Sequence, residues 1–242
     1  MKPTIAPFVH RLKTLTPLTP GDIDALIALA SPPRLFGKER AIVEEGARPA
    51  RLHILIDGWA ARVKVLADGR RFFSTVLVPG DICDIDGMLV RAYDYGVVAL
   101  TPCTVVAIPH VALLALCDHA PAIARALTWF GFVDNAMLVE VATSLARRNA
   151  IQRLAYLLCE LRLRLAAVGM GRPDGFTLPL SQENMGEALG TTGVHMNRSV
   201  KALRLEGLAS ISGRAVAIPD EGRLRRLAGF SPAYLHLEGM RK

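Results

Sequence analysis

Among the 242 residues, Ser181–Gly207 (SQENMGEALGTTGVHMNRSVKALRLEG) combines residue types at spacings that support specific chemistry. Ser181 suits a helix N-cap, since its hydroxyl accepts from the exposed amides of the following turn. Met185, Ala188 and Leu189 give a first short helix its inner face, and Gly190 permits a sharp turn. Thr192 caps a second helix in which Met196, Val200 and Leu203 point inward. At 100° per residue, Val194, Arg198 and Lys201 take the opposite side, with His195 and Asn197 on its flanks. Gly207 ends that helix as a C′ glycine. LASISGRAVAIP then reads as two short strands around Ser212-Gly213. Two helices joined through a glycine and followed by a hairpin make a winged helix-turn-helix. Its outward row suits a DNA groove: a guanidinium makes two bonds to guanine, a carboxamide pairs with adenine, and valine can touch a thymine methyl. The plainer alternative is a solvated helix face, where Arg and Lys are common. An excess of 29 basic over 22 acidic side chains, net +7, favours the DNA reading.

Other chemistries find little support. The cysteines at 83, 103, 117 and 159 share no short spacing, so neither a disulfide framework nor a zinc knuckle is expected, and a reducing compartment fits best. His53, His110 and His119 lack metal-ligand spacing. No Ser–His–Asp set, paired carboxylates or H-x-H pair stands out, so an enzyme is not expected. A thiol at Cys83, between Asp81 and Asp84, would be dulled by those carboxylates.

These residues need a scaffold. The first half reads as β-structure: HILIDGWAARVKVL is two runs broken at Asp57-Gly58, a pair favouring a hairpin. Asp68-Gly69 repeats the signal before RRFFSTVLV, and Pro79-Gly80 ends that run. PGDIDALIALA reads as a short helix with Asp22 near its start. Tyr95–Cys117 contains no Asp, Glu, Lys or Arg, long enough to suggest a membrane span. Pro102, Pro109 and the β-branched runs GVVAL and CTVVAI instead predict two buried strands and a short helix. MKPTIAPFVHRLK lacks a signal-peptide core, so a cytoplasmic location is expected.

Beyond Pro121 a long helical stripe runs through Ile123, Leu127, Phe130, Val133, Met137, Val141 and Leu145. Trp129, Phe132 and Leu138 add apolar surface beside it, enough for packing both ways at once. The expected dimer seam is Leu127, Phe130, Val133, Met137, Val141 and Leu145; the alternative packs this stripe on the chain's own β-structure. Arg147-Arg148-Asn149 reads as a hinge. A second stripe follows (Ile151, Leu154, Leu157, Leu158, Leu161, Leu165), with Arg153, Arg162 and Arg164 on the remaining face. Gly169, Gly171, Pro173 and Gly175 mark a loop.

The LSQENMGEALGTTGVHMNRSVKALRLEGL segment and the PGDI run at 79–82 resemble the Crp/Fnr transcription regulators, and the likeness spans nearly the whole chain. It implies an α+β fold: an N-terminal antiparallel, jelly-roll-like β-roll sensor (1–120), a long dimerisation helix and hinge (121–148), and a C-terminal winged helix-turn-helix (149–242). Expected partners are double-stranded DNA, read as a palindrome by a homodimer, and RNA polymerase; no membrane partner is expected. The DNA-facing set is Ser181, Gln182, Thr192, Val194, His195, Asn197, Arg198 and Lys201. Arg198 matches the family's most regular base-contacting arginine. Gly193 and Val194 depart from its common base readers, so the well-known operators do not transfer.

The family's cyclic-nucleotide branch uses a Gly-Glu pair and an Arg-Ser-Ala run. After Pro79-Gly80-Asp81 this chain reads ICDIDGMLVRAYDYGVVAL, with Tyr93, Asp94 and Tyr95 near the arginine's place, so cyclic-nucleotide control is not expected. The absence of cysteine before Cys83 argues against the iron–sulfur branch. Cys83 sits near a haem-ligand position, but the accompanying histidine is missing. No cofactor or metal is expected, and any small effector is unidentified. The alternatives are a DNA-binding dimer with a ligand-free, degenerate sensor and, less favoured, a cupin-like metal-dependent enzyme.

Overall fold

The structure, a computed structural model, describes residues 5–172 and 174–237. Pro173, assigned above to a loop, and the chain ends lie outside the described residues. Helices α1 (Ala6–Leu15) and α2 (Pro20–Leu29) open the chain. α2 is the helix expected around Asp22. Thr19 caps it: its hydroxyl accepts from the Asp22 N–H while Asp22 accepts from the Thr19 N–H.

Seven strands follow: β1 (Arg34–Phe36), β2 (Ala41–Val43), β3 (Arg51–Asp57), β4 (Ala60–Val65), β5 (Arg71–Leu77), β6 (Gly96–Ala99) and β7 (Cys103–Pro109). They form two antiparallel sheets, ordered β1-β7-β3 and β2-β6-β4-β5. Phe36, Ile42, Leu55, Tyr93, Val97 and Val105 join the sheets in a buried cluster. The turn at Asp68-Gly69 closes the β4–β5 hairpin, with Val65 opposite Arg71. The hairpin expected at Asp57-Gly58 does not form, because β3 pairs with β7 whereas β4 pairs with β5 and β6. The chain crosses there from one sheet to the other. Gly58 has φ +86°, and a Cβ would sit 2.3 Å from the Pro102 carbonyl oxygen, so that close crossing requires glycine. The uncharged stretch 95–117 is β6, β7 and most of α3 (His110–His119).

The long stripe forms α4 (Pro121–Arg147). By length and composition α4 could cross a bilayer, but here one face packs on α1, α3 and β5. Ile123, Leu127, Phe130, Val133 and Met137 are all buried within their own chain. This corrects the expected seam: Leu127, Phe130, Val133 and Met137 belong to the intrachain core, and Val141 and Leu145 are half-buried within the same chain. Phe132 (66% exposed) and Val139 (56%) lie about 180° around the helix from the buried stripe, and the exposed Leu138 lies to one side.

Asn149 begins α5 (Ala150–Ala167) with a reciprocal cap to Gln152. The arginines of α5 do not form a solvated face. Arg164 is 2% exposed and donates to Asp81 Oδ2 (2.5 Å), Glu160 Oε1 (2.9 Å) and the Val76 carbonyl (2.9 Å). The helix is covered on several sides, by α1 and by the helices at Gln182–Leu189, Gly193–Leu205 and Glu221–Ala228, so a charge buried on it must find a partner.

Candidate nucleic-acid interface

Past α5 the chain forms β8 (Gly175–Thr177), α6 (Gln182–Leu189), α7 (Gly193–Leu205), β9 (Ser210–Ser212), β10 (Ala215–Ala217) and α8 (Glu221–Ala228). The wing is a three-stranded sheet, β8-β10-β9, so the loop expected to include Gly175 ends in a strand. A Cβ at Gly175 would lie 1.9 Å from the Val216 carbonyl oxygen, which is why a residue legible as a loop marker pairs in a strand.

Local chemistry places the reading helix. The Ser181 hydroxyl accepts from the Asn184 N–H at 3.0 Å and starts α6. Gly190, at φ +61°, ends α6 in the left-handed conformation. The Thr192 hydroxyl accepts from the His195 N–H at 3.4 Å and starts α7. Met185, Leu189, Met196 and Leu203 are buried and join the two helices. On the other side Val194 is 67% exposed, and His195, Arg198 and Lys201 are exposed. Asn197 Nδ2 donates to Gln182 Oε1 at 3.1 Å, joining the two helices on the outward side. Thus Ser181 and Gln182 lie at the start of α6, Thr192 in the α6–α7 turn, and Val194, His195, Asn197, Arg198 and Lys201 on the outer face of α7 or beside it. Ser181, Thr192 and Asn197 also serve local hydrogen bonds.

Three features that fix the module's position were not anticipated. Arg153 is a staple: Nε donates to the Ser144 and Arg148 carbonyls, Nη2 to the Leu145 carbonyl and Nη1 to the Leu189 carbonyl. It therefore joins the exposed C-terminal carbonyls of α4 and α6 through one side chain. Arg71 on β5 makes a bidentate pair with Glu187 of α6, at 2.7 and 3.1 Å. Arg164 ties α5 to Asp81 and β5. Sequence offers no local signal for these contacts, because each partner lies on another element.

In the β-roll, buried side chains tie the segment after Pro79-Gly80 to its neighbours. Arg62 is 3% exposed and donates to the Cys83 carbonyl (2.8 Å), the Ile82 carbonyl (2.9 Å) and Asp134 on α4. Tyr95 donates to Asp86 at 2.5 Å, and its ring lies beside the Arg62 guanidinium. Asp84, fully buried, accepts from the His53 N–H (2.8 Å) and from the Tyr93 hydroxyl (2.6 Å), and pairs with His53 Nδ1 (2.7 Å). Burial, then Asp84, pushes the Cys83 thiol well up, and so disfavours the nucleophilic thiolate. Burial lowers His110, whose Nε2 has no partner among the described residues. Those residues contain no group of three potential metal-ligating side chains.

A β-roll joined by one long helix to a winged helix-turn-helix with an outward basic row defines a DNA-binding transcription regulator. Residues 33–120 match the model for the cyclic nucleotide-binding domain, and residues 152–227 match the Crp-like helix-turn-helix domain. The nitrogen fixation regulation protein FixK of Azorhizobium caulinodans is 25% identical, covering 84% of this chain and 81% of its own. The transcriptional activator protein FnrL of Cereibacter sphaeroides is 26% identical over 81% and 80%. Among solved structures, FixK2 from Bradyrhizobium japonicum superposes with a TM-score of 0.75 at 22% identity, covering 84% of this chain and 98% of that one. The chain belongs to the Crp/Fnr family of transcription regulators. Members of this family act on transcription and are not enzymes.

Proposed function

We propose that this regulator binds a palindromic DNA site as a homodimer in the cytoplasm and acts on RNA polymerase. In this reading residues 1–120 form the sensor, 121–148 the dimer helix and hinge, and 149–242 the DNA-binding domain. The observation that carries it is the α7 face: Val194, His195, Arg198 and Lys201 point outward from a helix whose opposite side is locked by Met196 and Leu203. Neither Arg198 nor Lys201 has a protein partner among the described residues, so their donors are free for bases and phosphates. Two such helices must stand roughly 34 Å apart to enter successive major grooves. Selection of bound sites from random DNA tests this reading; a palindrome supports it, and enrichment of no sequence overturns it.

The proposed seam is the outer face of α4, around Phe132, Asn135, Val139 and Ala142, which recur every three or four residues. Phe132→Ala is expected to weaken the dimer at least about tenfold, since burying a phenylalanine is worth about 1.5–3 kcal/mol. The monomer fold should be unchanged. Phe130→Ala is expected to do the reverse, costing about 3–5 kcal/mol of folding stability. Sedimentation equilibrium and thermal melts separate the two; equal loss of dimer in both variants overturns the face assignment.

Affinity should fall steeply with salt, because Lys and Arg that neutralise phosphates release counterions. Lys201→Ala is expected to weaken all sequences alike and lower the slope of log K against log salt by about 1. A sequence-selective loss would show that Lys201 reads a base instead.

Coupling runs through the ties already described. Arg62–Asp134 joins the roll to α4, Arg164–Asp81 and Arg71–Glu187 join it to the reading module, and Arg153 fixes the hinge. A phosphate brought to Arg62 would have to displace Asp134 from it. A second reading, a sensor that has lost its roll ligand, rests on that engaged arginine and on the buried cluster joining the sheets.

A further inference from the structure

A groove of about 270 Å³, open to solvent, lies at the surface of the β-roll between the end of β2, the loop at 44–50, the start of β3 and Tyr93. Neither Arg62 nor Asp134 lines it, so it is separate from the tie to α4. Its walls are fixed. The Gly46 N–H donates to the Tyr93 carbonyl at 2.8 Å and the Tyr93 N–H to the Ala47 carbonyl at 3.1 Å, which seats the loop against Tyr93. The Tyr93 hydroxyl and the His53 ring are both held from beneath by the buried Asp84. Ile42, Val43 and Tyr93 are themselves buried and give the groove an apolar floor. Arg51 and His53 stand two residues apart on β3 and so share one face of the strand. Arg48 joins them from the loop. Arg48 and Arg51 are exposed, and neither guanidinium has a partner among the described residues, whereas the neighbouring Lys64 is already paired with Glu45. Glu44 is the one carboxylate in the lining, and it is exposed.

We propose that this groove binds a small organic anion, its carboxylate or phosphate on Arg48 and Arg51 and its apolar body against Ile42 and Tyr93, beside the His53 ring. The planar fork of an arginine bonds either oxyanion through two donors. An apolar floor with a few convergent polar groups is the usual make-up of a small-molecule site, and a space of ~150 Å³ already suffices for a benzene ring. The groove also borders the segment that holds α4: the Cys83 N–H donates to the His53 carbonyl at 2.8 Å, and the Cys83 carbonyl accepts from Arg62, the partner of Asp134. Any effect of the ligand on DNA rests on the reading above; the binding itself does not.

The test uses the full chain without DNA, isotope-labelled at the histidine rings, in salt high enough to screen exposed charges. The probes are benzoate, phenyl phosphate, inorganic phosphate and benzyl alcohol, and the His53 resonance is the one lost in His53→Gln. That resonance should move saturably with benzoate or phenyl phosphate and stay still with benzyl alcohol; whichever anion binds tighter names the oxyanion. Arg48→Gln combined with Arg51→Gln should weaken the anion at least about tenfold. Glu44→Gln, which removes the opposing charge, should tighten it about twofold. All three positions are exposed, so the melt should stay unchanged. The proposal is overturned if neither organic anion moves His53 saturably, if benzyl alcohol binds as tightly, or if the doubly substituted protein binds like the parent. It also falls if inorganic phosphate binds as tightly as phenyl phosphate, since the apolar floor would then contribute nothing. None of these results bears on site selection from random DNA, so the two readings fail separately.

Discussion

Arg198→Ala is expected to abolish discrimination at one base pair in each half-site while the protein still binds DNA. Arg198 is exposed on the outer face of α7 and has no protein partner among the described residues, so its removal leaves no buried group unsatisfied. The melting temperature should therefore stay unchanged. A bidentate arginine–guanine contact is worth about 1–3 kcal/mol of discrimination, and a two-fold site contains two such contacts. Specific affinity should fall by about one to two orders of magnitude per half-site, with non-specific affinity much less affected. Competition binding against single-base variants of the selected site measures this. An unchanged sequence preference would remove Arg198 from base reading. The helix would then be positioned by phosphates while Val194, His195 or Asn197 specify.

Arg164→Ala is expected to have the largest effect on stability. The guanidinium is buried and holds Asp81 and Glu160, both almost fully buried. Removing it leaves two carboxylates without their cation, and breaking one partner of a buried pair costs about 3–5 kcal/mol. At about 2–4 °C per kcal/mol for a chain of this size, the melt should fall by roughly 6–20 °C. The Arg71–Glu187 pair is bidentate, with two bonds to one carboxylate, but Arg71 is about a third exposed. Pairs of that kind contribute about 0.2–1 kcal/mol, so Glu187→Ala should barely move the melt. Geometry alone would favour the bidentate pair; burial reverses the order. A melt unchanged in Arg164→Ala would show that the junction is hydrated or opens easily.

The reading module was the most legible part of the chain because its determinants are local. Ser181 and Thr192 each accept from the amide three residues on, and Gly190 and Gly207 adopt positive φ at helix ends. Apolar spacing then fixes which side of α7 turns outward. Each of these signals lies within a few residues of the element it defines. The same holds for the cap at Thr19 and the hairpin at Asp68-Gly69.

Elsewhere the same kinds of signal were ambiguous. Asp57-Gly58 carries as strong a turn signal as Asp68-Gly69, yet only the second closes a hairpin, because pairing depends on where β7 and β6 lie. Gly175 looked like a loop residue, but its strand exists only against β10. Alone, then, the amino-acid order determined the capped helices, the outward basic row and the succession of β-structure, long helix and winged module, since periodicity and capping are short-range. Tertiary structure decided which of α4's two apolar faces the β-roll covers, and it turned Arg62, Arg153 and Arg164 from surface charges into internal ties. Packing is a competition among faces and partners distant in the chain, and burial makes an ion pair costly to break; neither is written in the spacing of neighbouring residues.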